Sequence, residues 1–170
     1  MPFPIAKIWC TLYNPPTILP LLKKFLMKKL SPTSASRLQA PPLLPHSLSL
    51  SEASFIVFDI ETTGGNPSAN GITEICALRF HKGAVQDTFY TLVNPETPIP
   101  GLIRKMTGIT PDMVKDAPVI ASILPELLAF VGNSILVSHN TQGDLTFLRY
   151  FALKHQKVTL ENFYLCTHLL

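Results

Sequence analysis

A chain of 170 residues, 46% hydrophobic and 15% charged, is long enough for one core and perhaps one appended segment. Its net charge of +3 hides two unlike parts: residues 1–51 hold six Lys or Arg and no acid, and residues 52–170 hold eight against eleven acids. The mildly acidic body excludes nucleic-acid binding through a broad basic field, and no run of about 18 apolar residues exists to span a membrane.

The first 51 residues contain nine of the 16 prolines. Pro2, Pro4, Pro15, Pro16 and Pro20 interrupt what would be the apolar core of a secretory signal, and the lysines come after it. "TILPLLKKFLMKKL" can set Leu19, Leu22, Leu26 and Leu30 on one helical stripe with lysines around it. The segment is expected to be a basic, Pro-rich leader, poorly ordered, that runs through the linker "SPTSASRLQAPPLLPHSLSLS". Cys10, Cys76 and Cys166 form no C-x-x-C pair and fit a reduced compartment, so the expected location is the cytoplasm.

In the body, Phe55 to Phe58 reads as a doubly buried strand that runs into Asp59, Glu61 and the loop "TTGGNPSANG". "TEICALRFH" (73–81) and "AVQDTFYTLVNP" (84–95) follow as strands joined by Lys82-Gly83, which predicts an antiparallel meander. Residues 101–107 read as a short helix stopped by Gly108, and Thr110-Pro111 as the start of another. "PVIASILPELLAFVG" has helical spacing up to Gly132, "SILVS" (134–138) is an apolar strand, and "QGDLTFLRYFALKHQ" (142–156) is an amphipathic helix. Three strands followed by alternating helix, strand and helix predict an α/β domain with a mixed sheet flanked by helices.

Two acids at i and i+2 of a strand share a face. Asp59 and Glu61 would be costly there without a counter-charge, and no Lys or Arg is close in sequence. Asp144 opens a helix directly after a strand, where sites collect in α/β sheets. If strand 134–138 lies beside the first, the three carboxylates meet and suit hard divalent cations, two Mg²⁺ or Mn²⁺ ions able to hydrolyse a phosphodiester. Taken singly, Asp144 also reads as a helix N-terminal acid and Glu61 as a loop cap.

"FDIETTG" (58–64), "GIT" (108–110) and "LVSHNTQGDLTFL" (136–148) resemble the DnaQ-like, or DEDDh, exonucleases, typified by the proofreading epsilon subunit of bacterial DNA polymerase III. The resemblance runs from Phe55 to Leu170 and implies a ribonuclease H-like fold and 3′–5′ removal of nucleotides by two-metal hydrolysis. It implies Asp59, Glu61 and Asp144 as catalytic metal ligands. It also implies Thr62, Thr63, Gly64, His139 and Asn140 as contacts to a nucleic acid, a single-stranded DNA 3′ end, with a DNA polymerase catalytic subunit as a further partner. Residues 52–170 would be the N-terminal part of the exonuclease domain.

The pattern departs from the family at two places. Gly143 stands where a phenylalanine is usual, and no H-x-x-x-x-D motif follows: Asp144 is the last aspartate, and neither His155 nor His168 has an acid five positions later. The domain is therefore expected to be C-terminally incomplete and impaired as an enzyme. The alternatives are an inactive nucleic-acid-binding or polymerase-associated module and an RNA-trimming exonuclease; "NPETPIPGLIRKMTGIT" resembles the DNA proofreaders more than the oligoribonuclease branch.

Overall fold

The structure, a computed structural model, describes residues 52–139 and 141–167; the expectations for the leader, Asn140 and His168 lie outside them. Strands β1 (Ser54–Thr62), β2 (Ile72–His81) and β3 (Ala84–Leu92) form the antiparallel meander that the sequence predicts. Lys82 and Gly83 both take positive φ (51° and 77°), the turn geometry that matches the twist of a tight hairpin.

Helix α1 (Gly101–Thr107) ends on Gly108 in the left-handed region (φ 74°), whose N–H caps the Arg104 carbonyl. Helix α2 (Pro111–Val114) starts with proline after the extended Thr110. Helix α3 (Ile120–Val131), strand β4 (Ile135–Ser138) and helix α4 (Thr141–Phe151) follow, and α4 loosens into a π-helical turn over Ala152–Gln156.

One five-stranded sheet results, in the order β3-β2-β1-β4-β5, with β5 at Tyr164–Cys166. β1 is the central strand: it pairs antiparallel with β2 on one side and parallel with β4 on the other. On one face, Ile56, Phe58 and Ile60 of β1 pack with Leu124 and Leu127 of α3 and Leu145 and Leu148 of α4. On the other, Phe55 and Val57 pack with Leu78, Phe80, Ile135 and Val137. By the two-residue period of a strand, Asp59 and Glu61 continue this second face.

Four details differ from expectation. The segment around Tyr164, which the sequence reading left without an element, forms strand β5, paired in parallel with β4. The third strand stops at Leu92, and the fourth helix ends its regular turns at Phe151. Cys76 is disulfide-bonded, against the expectation of a reduced compartment.

Candidate active site

The central strand ends in the acids. In register, Asp59 stands opposite Cys76 and Glu61 opposite Glu74 on β2, with a bulge between Glu61 and Thr62. The chain then enters a loop held at its base by Thr63, which is buried. The Thr63 N–H donates to the Gly71 carbonyl (2.9 Å), and the Gly71 N–H donates back to the Thr63 hydroxyl (3.0 Å). The same hydroxyl lies 3.1 Å from Thr97 Oγ1 and 3.4 Å from Asn70 Oδ1. Thr62 turns its hydroxyl onto the Gly64 carbonyl (2.9 Å). Gly64 has Asn70 so close that a Cβ would sit 2.5 Å from its amide oxygen.

Asp144 arrives from β4. Phe55, Ile56 and Val57 pair in parallel with Ile135, Leu136 and Val137, which brings the start of α4 to the same end of the sheet as Asp59. Thr141 anchors that start: its buried hydroxyl shares one proton between the carbonyls of Ser138 (2.9 Å) and Leu165 (2.8 Å). Asp144 thus sits in the first turn of α4, behind a strand buried along its whole length.

The acids feel one another. Burial raises the Asp59 carboxyl above its ordinary 3.8, and the nearby His139 pulls it the other way. Glu61 is pushed from 4.5 to about 7, first by burial and then by the charges of Asp59, Glu74 and Asp144. Asp144 rises from 3.8 to about 7 through burial and Asp59, opposed by the Ser138 hydroxyl. That hydroxyl does not close a well-formed hydrogen bond, because both Ser138 Oγ and the buried Asp144 Oδ2 lack a partner. The surface ion pairs Lys82–Glu52 and Lys115–Asp112 involve none of these acids. As the side chains stand, no three Asp, Glu, His or Cys among the described residues close around a single ion.

The other expected residues divide. His139 lies by the cluster, its Nδ1 3.2 Å from Thr167 Oγ1. Thr63 is turned into the loop base instead of outward, so only backbone and Thr62 remain to face a ligand there. Gly143 is exposed on α4, so the missing aromatic ring leaves no buried gap. His155 stacks on Phe151 (5.9 Å between centroids, 13° between planes) at the far end of α4 from Asp144. Glu74 is the residue that the sequence reading passed over. Its place in the strand pattern looks like an ordinary polar position, and only the register sets it opposite Glu61.

Residues 56–170 match the family described as Exonuclease (RNase_T). The chain is 45% identical over 111 residues to the DNA polymerase III PolC-type protein of Caldanaerobacter subterraneus subsp. tengcongensis, covering 65% of this chain and 8% of that protein. It is 34% identical over 128 residues to the DNA polymerase III subunit epsilon of Aquifex aeolicus, covering 75% of this chain and 63% of that one. Among solved structures, Exonuclease X in complex with 5′ overhanging duplex DNA superposes with a TM-score of 0.53 at 26% identity, over 66% of this chain and 59% of that one. E. coli Exonuclease I with a dA16 oligonucleotide (TM-score 0.59, 17% identity, 68% of this chain and 28% of that one) shares the fold.

Proposed function

Since the chain belongs to the Exonuclease (RNase_T) family, we propose that it is a 3′–5′ exonuclease domain that shortens DNA from the 3′ end at a site built on Asp59, Glu61 and Asp144. One observation carries this reading. Two acids ending the central strand and a third opening α4 are gathered in a half-buried corner, each with its ionised form disfavoured.

An arrangement of that kind is stabilised by a cation that is not part of the polypeptide. The donor set fits: all-oxygen carboxylates, with Asp144 Oδ2 buried and without a partner. The acids would turn inward to hold it. Members of this family generally depend on divalent metal, and two Mg²⁺ or Mn²⁺ ions held by Asp59, Glu61 and Asp144 would supply Lewis acidity to the phosphate and to an attacking water.

The rest of the site positions the strand. The Thr63–Gly71 clasp fixes where the backbone of Thr62, Thr63 and Gly64 passes the end of β1, and the 3′-terminal nucleotide would lie along it. His139, directly after β4, would flank the phosphate, as would Asn140 by the resemblance. The chain spans only part of its relatives, and the PolC-type and epsilon names of those relatives support a polymerase catalytic subunit as partner.

The test is digestion of a 5′-labelled single-stranded DNA, with an RNA of the same sequence beside it, in Mn²⁺. Shortening of the DNA from its 3′ end that is lost in Asp59→Ala supports the reading. Faster shortening of the RNA moves the substrate to RNA. Tight DNA binding with no cleavage at any enzyme concentration replaces it with a binding module.

A further inference from the structure

Glu74 is fully buried in the middle of the sheet, directly across from Glu61. Residues opposed in an antiparallel pair point to the same face with Cβ atoms about 5 Å apart, and like charges placed so are destabilising. A valine or threonine would serve the sheet better at this position. The carboxylate is nevertheless held by design of its surroundings: the Tyr90 hydroxyl donates a 2.7 Å hydrogen bond to Glu74 Oε1. Tyr90 lies on β3 two residues from Leu92, the direct partner of Glu74, so it reaches Glu74 along the sheet diagonal. A line of polar groups thus crosses three strands on one face, from Glu61 through Glu74 to a tyrosine at 37% exposure.

We propose that Glu74, pinned by Tyr90, is a positioning residue that sets the orientation and cation affinity of Glu61. The inference rests on the reading of Glu61 as a metal ligand. The hydrogen bond ties one carboxylate oxygen toward β3 and so fixes the rotation of the group. The pinned carboxyl group, one strand behind Glu61, occupies the space over β2 and so directs the Glu61 side chain toward Asp59 and Asp144. A ligand held in one orientation by its outer-shell partner binds the cation more tightly. Glu74 itself need not touch the ion.

The test is calorimetric titration of the full 170-residue chain with Mn²⁺ alone, paired with thermal unfolding of each metal-free variant. Glu74→Gln keeps the shape and removes the charge; Tyr90→Phe keeps the ring and removes the donor, at a half-exposed site where folding is safe. A loss in Mn²⁺ affinity of about tenfold is expected for Glu74→Gln, the low end for outer-shell partners of a metal ligand, and a smaller one, about threefold, for Tyr90→Phe, which is one step further from the ligand. Should Glu74→Gln not fold, Tyr90→Phe decides. Unchanged Mn²⁺ affinity in the folded variants, with or without a lower melting temperature, overturns the positioning role and makes the pair purely structural. If Glu61→Gln also binds Mn²⁺ like the unsubstituted chain, or the latter binds none, the metal reading of Glu61 fails first and takes this inference with it.

Discussion

Thr63 and Gly71 hold each other by two hydrogen bonds, backbone to backbone and backbone to hydroxyl, across the base of the loop that follows the first acid pair. The clasp has no slack on its outer side: a Cβ on Gly71 would lie 2.1 Å from the Pro95 carbonyl oxygen and 2.7 Å from its Cα. Backbone, not a movable side chain, is what it would strike.

Gly71→Ala should therefore destabilise the domain by about 2–3 kcal/mol, the upper part of the range for overpacking. Urea unfolding monitored by circular dichroism measures it. Gly65→Ala, at a position with open space around it, is the control and should change stability by less than about 0.5 kcal/mol.

Metal binding follows the acids. Asp59→Ala should remove most of the Mn²⁺ signal in calorimetry, because Asp59 couples electrostatically to both Glu61 and Asp144. Asp144→Asn should weaken binding less. Unchanged binding in Asp59→Ala would sink the metal assignment.

Stability of the metal-free chain should fall as pH rises from about 4 to about 7. Glu61 and Asp144 carry folded-state values near 7, above their ordinary 4.5 and 3.8, so in this window the folded state holds more protons than the unfolded one. Raising the pH then favours the unfolded chain, with the contribution fully spent once pH passes the folded values. Melting temperatures from pH 4.5 to 8 test this, and Asp144→Asn should flatten the slope. A melting temperature that climbs steadily over that window contradicts the raised values.

Mg²⁺ or Mn²⁺ should reverse that loss, since an ion that binds only the folded state stabilises by mass action and displaces protons as it does. The gain in melting temperature on adding Mn²⁺ should be larger at pH 8 than at pH 6, and a chelator should abolish it. An equal gain at both values would place the ion somewhere other than these carboxylates.

Turnover by the 170-residue chain should be slow. His155 is committed to Phe151 at the far end of α4, and Asp144 is the last aspartate in the sequence. A site without a positioned general base typically loses about 10²–10⁴-fold. Adding a segment with an H-x-x-x-x-D motif should raise the rate on single-stranded DNA. Brisk digestion by the present chain, lost in Asp59→Ala and in His139→Ala together, would instead make His139 the base.

The legible parts of the fold were those with local signals. Lys82-Gly83, Gly108 and Pro111 each demand one backbone geometry, and each element broke where they stand. The apolar run before Asp59 marked the central strand, and its pairing with β4 followed from the short buried "ILVS". β5 escaped notice because its three residues are all half-buried at the sheet edge and show no alternation. Glu74 and the Thr97 side of the clasp escaped for another reason. What they touch depends on register and on a long loop, neither of which leaves a trace in local composition.

The sheet order also dictates when the acid corner can exist. β1, β2 and β3 are neighbours in sequence and can pair through short turns, whereas the β1–β4 contact must wait for a crossover that includes α1, α2 and α3. Closing so long a loop is an entropic cost incurred before any contact rewards it. Asp59 and Glu61 would thus spend the early part of folding on a hairpin edge in water, ionised at little cost. The full cost, burial together with repulsion from the third acid, begins only when β4 docks and delivers Asp144. Divalent cation present during refolding should accordingly speed the late step and leave the early one untouched.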